Sequence, residues 1–266
     1  MPELLIWYII CAVLVAGMTV ASLKLKFSDK VVFAVMCGVS FLSEMTKIIT
    51  HMEETYGNNG KFYGWYLAPA ALPFHLCSIL IFVFALLLLS NNEKMKKNLL
   101  EFAVPIGFLG GLLGVAFATS GTSFTDPSAY QSFLYHAMVI WFALHFMIKG
   151  TVYLGVKTMN KNFITMFFLM LFALWMNSIL RNNVLTDNRF VNFMFLAAPP
   201  MKGLPLLNLD HGWAAYFAHL IFVGAVLIAF VHSPFIIMEA SAKKKEKVVE
   251  TKIDPNTRVR DFEPTK

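Results

Sequence analysis

A thiol and several imidazoles lie within apolar segments of this sequence, where ionisable side chains are costly to bury. The segment YLAPAALPFHLCSI places His75 and Cys77 just after Pro69 and Pro73, and His136 follows about 60 residues later. Residues two apart on a helix point about 200° away from each other. If Cys77 is a nucleophile, its general base must therefore come from another helix, and His136 is the candidate.

The composition indicates the kind of protein that must position these groups. Apolar residues make up 58% of the 266-residue chain and charged residues 14%, against about 25% charged in an average soluble domain. An integral membrane protein is the only class that fits, and a spanning helix needs about 20 apolar residues. The sequence therefore predicts an all-α, polytopic seven-transmembrane-helix bundle over residues 1–238, with spans near 3–22, 31–51, 70–90, 99–119, 130–156, 162–181 and 212–238.

The basic residues predict the orientation of this bundle. Of 22 Lys and Arg residues, 17 lie in alternate connections or in the tail after residue 238. The positive-inside rule then places the N-terminus outside and the C-terminus in the cytoplasm, an N-out/C-in topology that seven helices also require. We expect a multi-pass protein of the cell (plasma) membrane. Its basic tail, 239–266, is predicted to be disordered and to contact anionic lipid headgroups rather than nucleic acid.

With this orientation, several polar side chains fall at one depth in the outer half of the membrane. Glu44 lies about seven residues from the outer end of its helix, which corresponds to about 10 Å at 1.5 Å per residue. Four residues from other helices reach a similar depth: Cys77, His136, Asn177 and His219. The long outer connection 182–211 is predicted to cap this layer with Asn192 pointing inward, and His75 lies beside it.

Ordinary structural roles also account for most of these residues. Glu44 and Lys47 are three apart on one helix face and can neutralise each other. Asn177 is typical of hydrogen bonding between helices, and His219 can bind a backbone carbonyl. The connection 182–211 can equally be an amphipathic surface loop anchored at the interface by Trp213.

Three sequence elements, LPFHLCSI, SFLYHAMVIW and NFMFLAAPP, resemble those of YwaF-type bacterial membrane proteins. These proteins are related to a eukaryotic TMEM-type (AIG-like) membrane acyltransferase family. The resemblance covers most of residues 30–235, and the HLC element is its most specific part. It implies that Cys77 is an acyl-accepting nucleophile acting on phospholipids and that His136 is its partner histidine.

Three kinds of function remain open from the sequence. The first is a cysteine-dependent lipid acyltransferase or acyl hydrolase with phospholipid or lysolipid substrates and no cofactor, in which Asn177 or Asn192 stabilises the oxyanion. The second is a membrane metalloenzyme with His and Glu ligands, and the third is a non-catalytic structural membrane protein. A transporter is disfavoured because no internal repeat is visible. A rhodopsin is excluded because the last span has no lysine for retinal. The metal ligands of the second alternative would be Glu44, His75, His136 and His219.

Overall fold

The described part of the protein is a bundle of seven α-helices with one small hairpin. The computed structural model describes residues 2–56, 61–117, 121–181, 191–201, 203–204 and 206–252. Its elements, in chain order, are α1 (Pro2–Lys24), α2 (Asp29–Thr50), β1 (Met52–Tyr56), β2 (Phe62–Leu67), α3 (Leu76–Leu89), α4 (Glu93–Phe117), α5 (Pro127–Lys149), α6 (Val156–Arg181) and α7 (Trp213–Lys252).

Six of the seven helices, all except α3, are long and apolar enough to cross a membrane. Together they make this a multi-pass membrane protein. Their large exposed apolar side chains, such as Phe41, Phe168, Trp175 and Phe230, are suited to contact with lipid. The six long helices confirm the membrane class that the composition predicts.

Helix α3 is shorter than the predicted span 70–90. Pro69–Ala71 form a 3-10 turn, and Leu72, which precedes Pro73, is extended with φ −62° and ψ 151°. A residue before proline is disfavoured in the α conformation, so the helix begins only at Leu76. Its 14 residues rise about 21 Å, less than the about 30 Å of a bilayer core. The N-terminus of α3 therefore lies inside the bundle.

The sequence analysis did not predict the antiparallel hairpin of β1 and β2. Met52 pairs with Leu67 next to the end of α2, and the register shifts between Thr55 and Tyr56. Trp65 is an exposed aromatic residue on this hairpin. Aromatic side chains of this kind are enriched where a membrane meets water.

The core is built from α2, α3, α4 and α5. Met36, Phe84, Trp141 and Phe142 are completely buried where these helices meet. Helix α5 is the most buried of the long helices, while α1, α6 and α7 lie at the periphery. Polar residues on the inner faces of α2, α3 and α5 are thus shielded from lipid by other helices.

The two ends of the bundle have different surroundings. At one end, here the hairpin end, the start of α1 lies beside α5, and Trp7 donates its indole N–H to the carbonyl of Thr122, 2.9 Å away. At the other end, here the lysine end, Lys149 pairs with Asp29 at 2.5 Å, and Tyr153 donates to Glu239 of α7 at 3.1 Å. The chain thus begins at the hairpin end, and α7 reaches the lysine end.

Helix α7 is longer than the predicted span 212–238. It continues to Lys252, so the first half of the tail that the sequence predicts as disordered is helical, while residues 253–266 lie outside the described residues. The stretch after Ser241 is rich in Lys and Glu, which favour helix.

Candidate functional site

Cys77 lies in the first turn of α3, directly after the N-cap residue His75 and Leu76. The first N–H groups of any helix have no partner within the helix, and His75 supplies no side-chain cap. Cys77 is partly buried and free of disulfide bonds. A thiol at this position faces the positive end of the helix dipole, which favours its thiolate.

A charged pair of α2 binds the residue that follows this thiol. The Lys47 ammonium lies 2.5 Å from Glu44 Oε1, with side chains only 15% and 16% exposed. Lys47 Nζ donates to Ser78 Oγ at 2.9 Å, and Ser78 donates to Glu44 Oε2 at 3.1 Å. The two residues neutralise each other, as the sequence allows, and their pair is also bonded to α3 beside Cys77.

Helix α5 joins the same group of residues through two side chains. Tyr135 donates its hydroxyl to the backbone carbonyl of Cys77 at 2.6 Å. One turn earlier, Gln131 donates to Ser43 of α2 at 2.6 Å. The residues linked in this way, together with the adjacent His136, form the hairpin-end cluster: Ser43, Glu44, Lys47, Cys77, Ser78, Gln131, Tyr135 and His136.

The hydrogen bonds of His136 define its tautomer. Its Nδ1 lies 2.6 Å from the carbonyl oxygen of Ser132, which can only accept, so Nδ1 carries the proton. Its Nε2 therefore keeps a lone pair, and no described residue is hydrogen-bonded to it. No hydrogen bond joins the imidazole to the Cys77 thiol, although Tyr135, its neighbour in sequence, contacts Cys77 directly. His136 thus has the protonation required of a general base.

Glycines of α4 make room for this imidazole between the helices. A Cβ atom on Gly114 would lie 2.2 Å from the ring carbon Cδ2 of His136 and 2.3 Å from Nε2. A Cβ on Gly111, one turn earlier, would lie 3.0 Å from the His136 carbonyl oxygen. The ring therefore rests directly on the backbone of α4, and only glycine at position 114 allows it.

The segment 191–198 covers the start of α3. The His75 ring packs against Phe193 and Phe195, with centroids 5.4 Å and 5.8 Å apart. Asn177 of α6 holds this segment by donating to the Phe193 carbonyl at 3.1 Å and accepting from its N–H at 2.8 Å. Asn192 accepts from the N–H groups of the segment's own residues 197 and 198. Both asparagines thus position the segment 191–198, here called the cover. Residues 182–190 of the predicted cap lie outside the described residues.

Other predicted site residues have separate partners. His219 lies 2.9 Å from the carbonyl oxygen of Leu206 through Nδ1, as the structural alternative for this residue supposes. Trp213 donates to the Leu196 carbonyl at 2.9 Å and so anchors the cover to α7. Within the described part of the chain, no three His, Cys, Asp or Glu residues lie together as metal ligands would. The four ligands of the metalloenzyme alternative do not form such a group.

Sequence reasoning missed four polar members of the cluster and one glycine. Ser43, Ser78 and Gln131 are uncharged, and Tyr135 is amphipathic, so none is an anomaly in an apolar helix. A usable signal was the pattern GFLGGLLG at 107–114, which places several glycines on one face of α4. Small residues at this spacing mark a close approach between membrane helices.

Comparison with curated proteins gives no significant match, and comparison with solved structures gives none either. A family model described as the TMEM164 family matches residues 2–232, which is nearly the whole chain. This match includes every residue of the hairpin-end cluster and the cover. It confirms the TMEM-type membrane family that the sequence elements indicate, and the chain belongs to the TMEM164 family.

Proposed function

We propose that this protein transfers acyl chains of membrane phospholipids through a thioester on Cys77. The observation that carries the proposal is the thiol at a helix N-terminus whose carbonyl accepts from Tyr135 of α5, the residue directly before His136. The expected relation to YwaF-type proteins and to membrane acyltransferases supports the same assignment.

In the first step, His136 Nε2 takes the thiol proton as Cys77 approaches an ester carbonyl. The Cys77 sulfur forms a bond to the carbonyl carbon, and the resulting oxyanion is bound by the free N–H groups at the start of α3. Collapse breaks the ester C–O bond. The imidazolium returns its proton to the leaving lysophospholipid oxygen, which leaves a thioester on Cys77.

In the second step, a hydroxyl of an acceptor lysolipid attacks the thioester carbonyl and gives its proton to His136. The C–S bond breaks, the thiolate takes the proton back from the imidazolium, and the acyl chain is now on the acceptor. Water in place of the acceptor gives a free fatty acid. Acyl transfer and acyl hydrolysis thus need the same residues and no cofactor.

We place this chemistry in the outer half of the plasma membrane, with the hairpin end outside and the basic lysine end in the cytoplasm. Lys24, Lys30, Lys97 and Lys149 lie near the lysine end, where anionic headgroups of the inner leaflet are in reach. The extended α7 adds further lysines there. Alkaline phosphatase fused near Asn58 should be active, whereas a fusion after Lys252 should be inactive, and the reverse result overturns the orientation.

The function is tested by following both products from defined vesicles. Purified protein is incubated with phospholipid carrying one isotope-labelled acyl chain, with and without a lysolipid acceptor, and lipids are measured by mass spectrometry. We expect labelled acceptor lipid or labelled fatty acid from the wild type and from Cys37→Ala, and none from Cys77→Ala or His136→Gln. Turnover that persists in Cys77→Ala contradicts the mechanism, and its absence from the wild type favours a structural role.

A further inference from the structure

The Glu44–Lys47 pair is unusual because it is nearly buried in a helix bundle within a membrane. Removing two charges from water is costly, and a buried pair often contributes no net stability. The pair is nevertheless held by Ser78, the residue next to Cys77, through hydrogen bonds of 2.9 Å and 3.1 Å. A charged pair that costs free energy and is hydrogen-bonded to the residue next to the nucleophile points to a role in the chemistry of Cys77.

The arrangement of this pair is asymmetric towards Cys77. Ser78 accepts from Lys47, so the ammonium is bonded to the first turn of α3, where the helix N–H groups are also positive. Ser78 also donates to Glu44, at 3.1 Å against 2.9 Å for the bond from Lys47, so the ammonium is the nearer of the two charges to the Ser78 oxygen.

We infer that Lys47 is a positioning residue that holds a fixed positive charge against Cys77, with Glu44 and Ser78 fixing its place. The inference deepens the proposed function, since it rests on Cys77 being the nucleophile. A fixed cation raises the thiolate fraction at neutral pH and stabilises the oxyanion that forms next to it. Glu44 then holds Lys47 in place through their ion pair.

Few other titratable groups lie near Cys77. Tyr135 of α5 is hydrogen-bonded to its carbonyl, His136 is the next residue of α5, and His75 lies two residues earlier in the chain. The titratable residues of α4 lie at its far end, between Glu93 and Glu101, and the cover 191–198 contains none. The pH profile of Cys77 reactivity therefore reports mainly on the Glu44–Lys47 pair and His136.

The test measures the alkylation rate of Cys77 by a neutral maleimide across pH, which needs no turnover. The background carries Cys11→Ala and Cys37→Ala, so that Cys77 is the only thiol. The neutral pair Glu44→Gln with Lys47→Met should react about fivefold more slowly at pH 7, with its profile displaced to higher pH. Lys47→Arg should keep the wild-type profile, because it retains the charge.

Two further variants make the outcome decisive. Ser78→Ala removes one oxygen and keeps both charges, so it folds readily and should slow alkylation about twofold by loosening Lys47. Lys161→Met removes a lysine at the other end of the bundle and should change nothing. The inference is overturned if the neutral pair and Ser78→Ala both show the wild-type profile. Slower alkylation in the neutral pair and in Ser78→Ala, together with no acyl transfer by the wild type, would instead count against the proposed function alone.

Discussion

Two Glu–Lys pairs at opposite ends of this bundle have different surroundings. The Glu44–Lys47 pair lies on α2, has both side chains largely buried, and is bonded to Ser78 of α3, the residue after the Cys77 thiol. Lys161 lies 3.2 Å from Glu101 at the lysine end, but its side chain is 43% exposed and it also donates to Asn98 at 2.6 Å. Glu and Lys thus form an enclosed charged pair at the hairpin end and a pair with a partly exposed lysine at the lysine end.

Two histidines, one from each end, also differ in their hydrogen bonds. His232 donates from Nδ1 to the Leu154 carbonyl at 2.9 Å and accepts from Asn162 at 3.3 Å, so both of its nitrogens are occupied. His136 has Nδ1 bonded to the Ser132 carbonyl. His145, at the lysine end, lies 2.9 Å from Ser22 through Nδ1 and has no partner at Nε2. An unsaturated imidazole alone therefore does not distinguish the candidate site; its place beside the residues that contact Cys77 does.

The largest effect on stability is expected from Lys47→Met alone, which leaves the Glu44 carboxylate buried without its partner. We expect a loss of about 3 kcal/mol in the free energy of unfolding. Lys161→Met should cost less, because the Lys161 side chain is 43% exposed and water reaches its ammonium, although the Glu101 carboxylate is itself buried. Thermal unfolding in one detergent measures both. Equal losses for the two variants would remove the distinction between the pairs.

Gly114→Ala should have the largest effect on activity without touching a reactive group. Its Cβ would fall 2.2 Å from the His136 ring, so the imidazole must move. Loss of a general base slows turnover about 100-fold. Gly110→Ala is the matched control on the same helix, since its Cβ meets only Leu76 at an ordinary 3.9 Å. Acyl transfer at the wild-type rate in Gly114→Ala would show that activity does not depend on the observed position of the His136 imidazole.

Asn162→Leu should affect stability and leave the candidate site unchanged. The Asn162 amide donates to the Glu101 carbonyl at 3.0 Å and to His232, and both acceptors are buried. Leaving them without a donor costs about 2 kcal/mol. We expect a lower unfolding temperature together with the wild-type alkylation rate of Cys77. A changed rate would mean that the two ends of the bundle are coupled.

The sequence predicted the membrane class, but some boundaries only approximately. The common depth of Glu44, Cys77 and His136 stays a prediction. The predicted span 70–90 includes Pro73, whereas Pro69–Ala71 form a 3-10 turn and Leu72 is extended, so α3 begins only at Leu76. The hairpin was missed because MEETY and FYGWYL are short and lie between much longer apolar segments.

The side-chain partners could not be predicted for a different reason. Ser78 follows Cys77 on the helix, and a serine there can bond to its own backbone as readily as to Lys47. Asn177 is predicted in the same layer, yet a predicted depth does not reveal that its amide is bonded to the Phe193 backbone. Such choices depend on the rotation of each helix about its axis. Hydropathy and charge do not specify that rotation.

Asn177→Leu should have the smallest effect of the set. It removes the two hydrogen bonds to the Phe193 backbone that hold the cover 191–198 over His75. We expect a loss of about 1 kcal/mol of stability and faster alkylation of Cys77, because the thiol becomes more accessible. Protease sensitivity near Leu196 should rise in parallel. Slower alkylation would indicate that the cover holds Cys77 in its reactive geometry rather than shielding the thiol from the reagent.

Detection of the acyl-enzyme tests the central claim most directly. Intact-protein mass spectrometry, after incubation with vesicles of a single phospholipid, should show one added acyl chain that hydroxylamine removes. Peptide mapping should place it on Cys77, and Cys77→Ala should lack it while Cys37→Ala retains it. An adduct elsewhere, an adduct stable to hydroxylamine, or none in the wild type under conditions of lipid turnover would contradict thioester chemistry at Cys77.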